Sequence, residues 1–190
     1  MFFPSHIASG YLLGKSMNRT SWTAFPFLPV LLLSSVLPDV DGLFSTTVAG
    51  HHSVLHTPIF WIMLFGGMVL FEKWKKQKSL KPISWGIFLG AQLHLITDWL
   101  TARTVGIKWL YPYSEKDYFL YQIQPKNGQG SIWEMVQNPY FSFYMENRIL
   151  FWSEVGVILL AGTFLLSRWE ILGFNEPYQN SLSLKKWKQR

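Results

Sequence analysis

A chain of 190 residues that is 49% hydrophobic and only 15% charged has too much apolar mass for a disordered segment, and its charge falls below the roughly 25% usual for soluble domains. With no cysteine, it has no disulfide frame, thiolate metal site or cysteine nucleophile. A net charge of +6 points to nucleic acid or an anionic membrane surface, and a mean hydropathy of +0.13 leaves that choice to the pattern along the chain.

Residues 5–17 (SHIASGYLLGKSM) predict a short helix opened by Ser5. A basic turn with Lys15 and Arg19 leads to a second apolar run, 22–37 (WTAFPFLPVLLLSSVL). Residues 57–71 carry no charge, and Thr57 followed by Pro58 reads as an N-cap and first helical residue. The run 83–97 is interrupted only by Gln92 and His94, and 149–167 carries one acid, Glu154. These runs approach the roughly 20 residues that cross a bilayer, and Trp85, Trp99, Trp152 and Trp169 fall near their ends. The expectation is an all-α, polytopic membrane protein with about five transmembrane helices, forming one membrane domain over residues 1–190. Residues 102–148, rich in Trp, Tyr and Phe, are too long for a plain loop and predict an extracytoplasmic, lid-like segment.

Lysine and arginine set the orientation. Lys73, Lys75, Lys76, Lys78 and Lys81 crowd one loop, and Lys185, Lys186, Lys188 and Arg190 end a basic tail over 178–190. Both then face the cytoplasm of a multi-pass protein in the cell inner membrane. Basic residues flanking spans serve topology and attraction to anionic membrane lipids, so nucleic acid is set aside as a partner.

In that topology all five histidines fall on the extracytoplasmic side: His6 at the start of the first helix, His51, His52 and His56 before the third, and His94 near the end of the fourth. Asp39, Asp41 and Asp98 accompany them. His94 and Asp98, four residues apart, share one helix face. Imidazoles with carboxylates suit a divalent metal such as zinc, manganese or iron. So many ligand-type residues imply either more than one ion or carboxylates that orient the imidazoles. Asp39 and Asp41 also fit simple turn formation. The role of His52 stays open. Glu154, about one turn into the last run, either reaches the site or snorkels to the interface, the simpler reading.

The motifs SHIASG, PDVDG, HHSVLHT and HLITDWLT, with Gly106 and Pro112 following, resemble in order those of the predicted membrane-bound metal-dependent hydrolases of the LexA-regulated inner-membrane type. The resemblance covers about residues 5–114 and implies metal residues at His6, Asp39, Asp41, His51, His56, His94 and Asp98. One departure is His52, where an arginine is usual, followed by Ser53 in place of glycine. A membrane-embedded hydrolase of a lipid or lipid-linked phosphoester at the outer interface follows as the leading expectation, with Asp41 or Asp98 as general base. Two alternatives stand beside it: a metal transporter, which needs polar groups through the inner halves of the helices, and a noncatalytic membrane protein tied together by its metal.

Overall fold

The computed structural model describes residues 2–17, 26–45, 54–101, 106–120 and 147–174. Among the described residues five α-helices run in chain order: α1 (Phe3–Ser16), α2 (Phe27–Ser34), α3 (Pro58–Lys75), α4 (Lys81–Thr101) and α5 (Arg148–Phe174). Short 3₁₀ helices at Leu37–Phe44, Val54–His56 and Lys78–Leu80 connect them, and there is no strand among the described residues.

The helix starts follow local chemistry. Pro4 lies in the first turn of α1, where its missing N–H costs no hydrogen bond, so the helix opens at Phe3 and Ser5 lies inside it instead of capping it. Thr57 is the residue before α3 and Pro58 opens that helix, as expected. The Thr57 hydroxyl, however, donates backward to the Val54 carbonyl at 2.6 Å and ties down the turn that carries His56. The indole N–H of Trp61 holds the same turn by donating to Leu55 O at 2.7 Å.

The expectation of five membrane-crossing helices is not met. Among the described residues one helix is long and apolar enough to cross a membrane by length and composition, over Arg148–Ser167 of α5. The other runs fall short for visible reasons. α1 has 14 residues and α2 has 8, about 21 and 12 Å at helical rise. The last turns of α3 contain Glu72, Lys73 and Lys75, and α4 carries Ser84, Gln92, His94, Thr97 and Asp98.

Glycines set how closely the helices meet. A β-carbon on Gly90 would stand 2.6 Å from Leu31 O and 2.7 Å from Ser34 Cβ, and one on Gly86 would stand 2.9 Å from Val30 Cγ1. Four residues apart on α4, these glycines let the backbone of α2 lie directly against it, in the small-residue packing used between membrane helices. Gly10 and Gly14 of α1 do the same toward Ser35, Leu28 and Leu31, so α2 is held from two sides.

On the other flank, Trp61 of α3, Ala91 and Leu95 of α4, and Ile107 form a buried core against which Leu55 and Trp109 pack. Ile107 and Tyr118 exchange backbone hydrogen bonds at 3.1 Å each, so the described part of the expected lid segment folds back on itself and is anchored to α3 and α4. The basic tail over 178–190 lies outside the described residues.

Candidate metal centre

Four pieces of chain converge on one point. α1 contributes His6, the 3₁₀ helix after α2 contributes Asp39 and Asp41, the 3₁₀ helix before α3 contributes His56, and α4 contributes His94 and Asp98. The side chains of His6, His56, His94 and Asp98 are at most 5% exposed, whereas that of Asp39 is 29% exposed. The cluster is therefore buried with one open edge, at Asp39.

Ligand-type atoms of Asp39, His56, His94 and Asp98 all lie within 4.8 Å of one another. His94 Nε2 is the hub: it stands 3.3 Å from His56 Nε2, 3.0 Å from Asp98 Oδ2 and 3.4 Å from Asp39 Oδ1. His56 Nε2 is 3.7 Å from both Asp98 Oδ2 and Asp39 Oδ1. Ligands at about 2.0–2.2 Å from a tetrahedral ion stand about 3.3–3.6 Å apart, so these spacings suit one divalent cation with nitrogen and oxygen donors.

The far nitrogen of each ring shows why those Nε2 atoms can be donors to a metal. His94 Nδ1–H donates to Ser35 O at 2.8 Å, and His56 Nδ1–H donates to Asp41 Oδ2 at 3.1 Å. His6 Nδ1–H donates to Thr97 Oγ1 at 3.1 Å, while the Thr97 hydroxyl proton is taken by the carbonyls of Leu93 and His94, each 2.9 Å away. With Nδ1 as the protonated nitrogen in all three neutral rings, each Nε2 turns a lone pair inward.

Lone pairs and carboxylates converging in a buried space require positive charge. Burial alone would lower the basicity of His56, yet the hydrogen-bonding carboxylates of Asp39, Asp41 and Asp98 push its pKa up to about 10. Burial would raise the Asp39 carboxyl, but the imidazoles of His56 and His94 hold it well below the usual carboxylate range. A divalent cation supplies the charge that a proton otherwise must. The buried Nε2 of His6, which has no hydrogen-bond partner, shows the same unmet demand.

Of the residues expected to bind metal, Asp39, His56, His94 and Asp98 form the tight group. His6 stands beside it with Nε2 3.1 Å from Asp98 Oδ1. Asp41 lies behind the His56 ring, where it orients the imidazole and does not join the group. His51 and His52 lie outside the described residues.

Glu154 neither snorkels nor joins the group. It is 2% exposed, and its Oε2 accepts the backbone N–H of Phe2 at 2.9 Å, pinning the start of α1 to α5. Glu154→Gln is expected to preserve this link through its amide oxygen. Glu154→Leu is expected to cost about 1–3 kcal/mol by stranding a backbone donor, readable as a lower unfolding midpoint in detergent. Equal stability of the two variants would show that the link does not hold α1.

Ser35, Thr97 and Gly90 were not legible as residues that support the site. The four-residue spacing of Gly86 and Gly90, and of Gly10 and Gly14, was the available signal for close helix approach.

No curated protein and no solved structure matches the chain. A family match does exist, and its description carries an inner membrane protein and no reaction. Residues 1–171 match the family described as YdjM inner membrane protein, a span that includes every residue of the cluster, and the chain belongs to that family.

Proposed function

We propose that this inner membrane protein is a metal-dependent hydrolase whose substrate is a lipid or lipid-linked phosphoester. One observation carries the reading: three buried imidazoles, each held at Nδ1, turn Nε2 toward two carboxylates beside a single solvent-reached edge. A purely structural site is closed on all sides. The 29% exposure of the Asp39 side chain favours a site that admits water and substrate, and so favours catalysis over a metal that only ties the helices together.

A divalent ion, when bound, supplies Lewis acidity to a phosphoryl oxygen and to an attacking water. The chain supplies the rest. His56 and His94 are held in the donor tautomer by Asp41 and Ser35, so neither ring reorients during turnover. Asp41 is committed to His56, and Asp98 faces three imidazoles.

The lipid class rests on the surroundings of the Asp39 edge. Leu37, Val40 and Phe44, on the same 3₁₀ helix as Asp39, are exposed, and Phe44 is 85% exposed. Phe2, Phe3 and Ile7 at the start of α1 are exposed as well. Exposed apolar side chains on the helices that carry Asp39 and His6 suit an interfacial substrate. We orient the molecule with these side chains at the outer membrane surface and the lysine-rich segment between α3 and α4 at the cytoplasmic one, with α5 crossing the membrane.

The test is phosphodiesterase and phosphatase activity of the purified protein with and without added metal. Metal-dependent activity lost in His56→Ala and Asp39→Ala is the expected result, and activity unchanged in these variants would remove the proposal. Phe44→Ser is expected to lower turnover of a lipid phosphoester in vesicles several-fold while leaving a short water-soluble phosphoester untouched. An equal loss on both substrates would argue against that interfacial contact.

A further inference from the structure

We infer that α3 and the 3₁₀ helix after it bind one anionic phospholipid of the cytoplasmic leaflet, with an acyl chain in an apolar groove and the phosphate among Lys75, Lys78 and Lys81. The inference rests on the orientation proposed above and is independent of the metal centre.

The groove has a volume of about 350 Å³ and is lined by Met63, Leu64, Gly67, Met68, Phe71 and Leu80. All but Leu80 share one face of α3 by their spacing, and Leu80 joins them from the 3₁₀ helix Lys78–Leu80. At Gly67 the floor is bare backbone, and nothing lies within 4 Å of a β-carbon placed there. From Met63 to Phe71 the helix rises about 12 Å, close to the hydrocarbon depth of one leaflet, which is half of about 30 Å.

The turn that leaves α3 gathers positive charge at one end of this groove. Lys76 takes the left-handed conformation, φ 53°, and the Gln77 N–H donates back to Glu72 O at 3.0 Å, so the chain reverses sharply. Trp74 and Lys75 continue the groove face three and four residues past Phe71, and Lys78 and Lys81 flank Leu80. Trp74 is 73% exposed, and the Lys75 ammonium stands 4.0 Å from its ring centroid, an amphipathic pair suited to a head-group layer. Lys73, Lys75, Lys76, Lys78 and Lys81 are all exposed, and among the described residues none of them has an ion-pair partner. Exposed hydrocarbon beside unpaired cations matches an amphiphile with a negative head and an apolar tail. A second copy docked through the same face would set lysine against lysine, so the charge selects the lipid.

The experiment is native mass spectrometry of the full chain in detergent micelles, titrated with dioleoyl phosphatidylglycerol, dioleoyl phosphatidylcholine or glycerophosphate. The wild type is expected to retain one phosphatidylglycerol about 10–100-fold more tightly than phosphatidylcholine, and to retain no glycerophosphate. Replacing Lys75, Lys78 and Lys81 together by glutamine is expected to remove that preference, and replacing them by arginine to keep it. Gly67→Phe, which fills the groove without touching a lysine, is expected to weaken retention of phosphatidylglycerol several-fold. Equal retention of the two lipids by the wild type, or an unchanged preference in the glutamine variant, would overturn the inference. Glycerophosphate held as tightly as the lipid would overturn it in favour of a phosphate site alone. A lipid-free wild-type dimer that Gly67→Phe abolishes would overturn it in favour of a second copy.

Discussion

His94→Ala is expected to empty the tight metal position and abolish metal-dependent activity. His94 joins the cluster at both ring nitrogens: Nε2 lies within 3.4 Å of His56, Asp39 and Asp98, and Nδ1 is bonded to Ser35 O. Truncation removes a donor and leaves the Ser35 carbonyl without its imidazole partner. The loss of metal affinity should exceed the roughly 10–100-fold that follows removal of a group merely supporting a ligand. Stability should follow. An ion held at a hundred times its dissociation constant stabilises the folded chain by about 2.7 kcal/mol, so chelation should lower the wild-type Tm by roughly 5–10 °C. The variant should unfold at a lower temperature whether or not chelator is present. A chelator-induced shift of the same size in wild type and His94→Ala would show that the metal acts elsewhere.

Gly90→Ala is expected to weaken metal binding without touching a ligand. Its β-carbon would meet the Leu31 carbonyl oxygen at 2.6 Å and Ser34 at 2.7 Å, and backbone cannot rotate away as a side-chain tip can. α2 must therefore back off from α4, at about 1–3 kcal/mol for forced overpacking. Ser34 adjoins Ser35, whose carbonyl fixes the His94 tautomer across 2.8 Å. Displacing it frees the ring to turn, and metal affinity should fall by about 10–100-fold. Gly67→Ala provides the comparison, because nothing lies within 4 Å of its added β-carbon, and it should leave metal affinity unchanged while raising stability by about 0.5–1 kcal/mol. Unchanged affinity in folded Gly90→Ala would separate the helix contact from the site.

These variants also mark what was legible in the sequence. Metal chemistry admits few residue types, so His6, Asp39, His56, His94 and Asp98 stood out by type and spacing, and the structure brings them together. The supporting groups left no such mark. The Ser35 carbonyl is backbone, and Thr97 is an ordinary helix threonine until His6, 91 residues away, folds against it. Asp41 and Asp39 look alike in the sequence, because a two-residue spacing does not reveal that Asp41 meets His56 Nδ1 while Asp39 faces the group. Apolar runs were legible as helices but overread as spans. Hydrophobicity fixes where a helix can be buried, not where it stops, and Pro4 and the lysines closing α3 bound the actual lengths. Glu154 looked like an interfacial carboxylate because nothing along the chain signals a partner 152 residues away.

The most direct test of the metal centre is X-ray absorption at the metal edge on protein loaded with zinc and then dialysed, comparing wild type with His94→Ala. The wild type is expected to retain zinc with nitrogen and oxygen neighbours at about 2.0–2.2 Å and an imidazole scattering pattern, and His94→Ala is expected to retain none at that position. Zinc lost from the wild type on dialysis, or held identically by the variant, would contradict the metal centre described here.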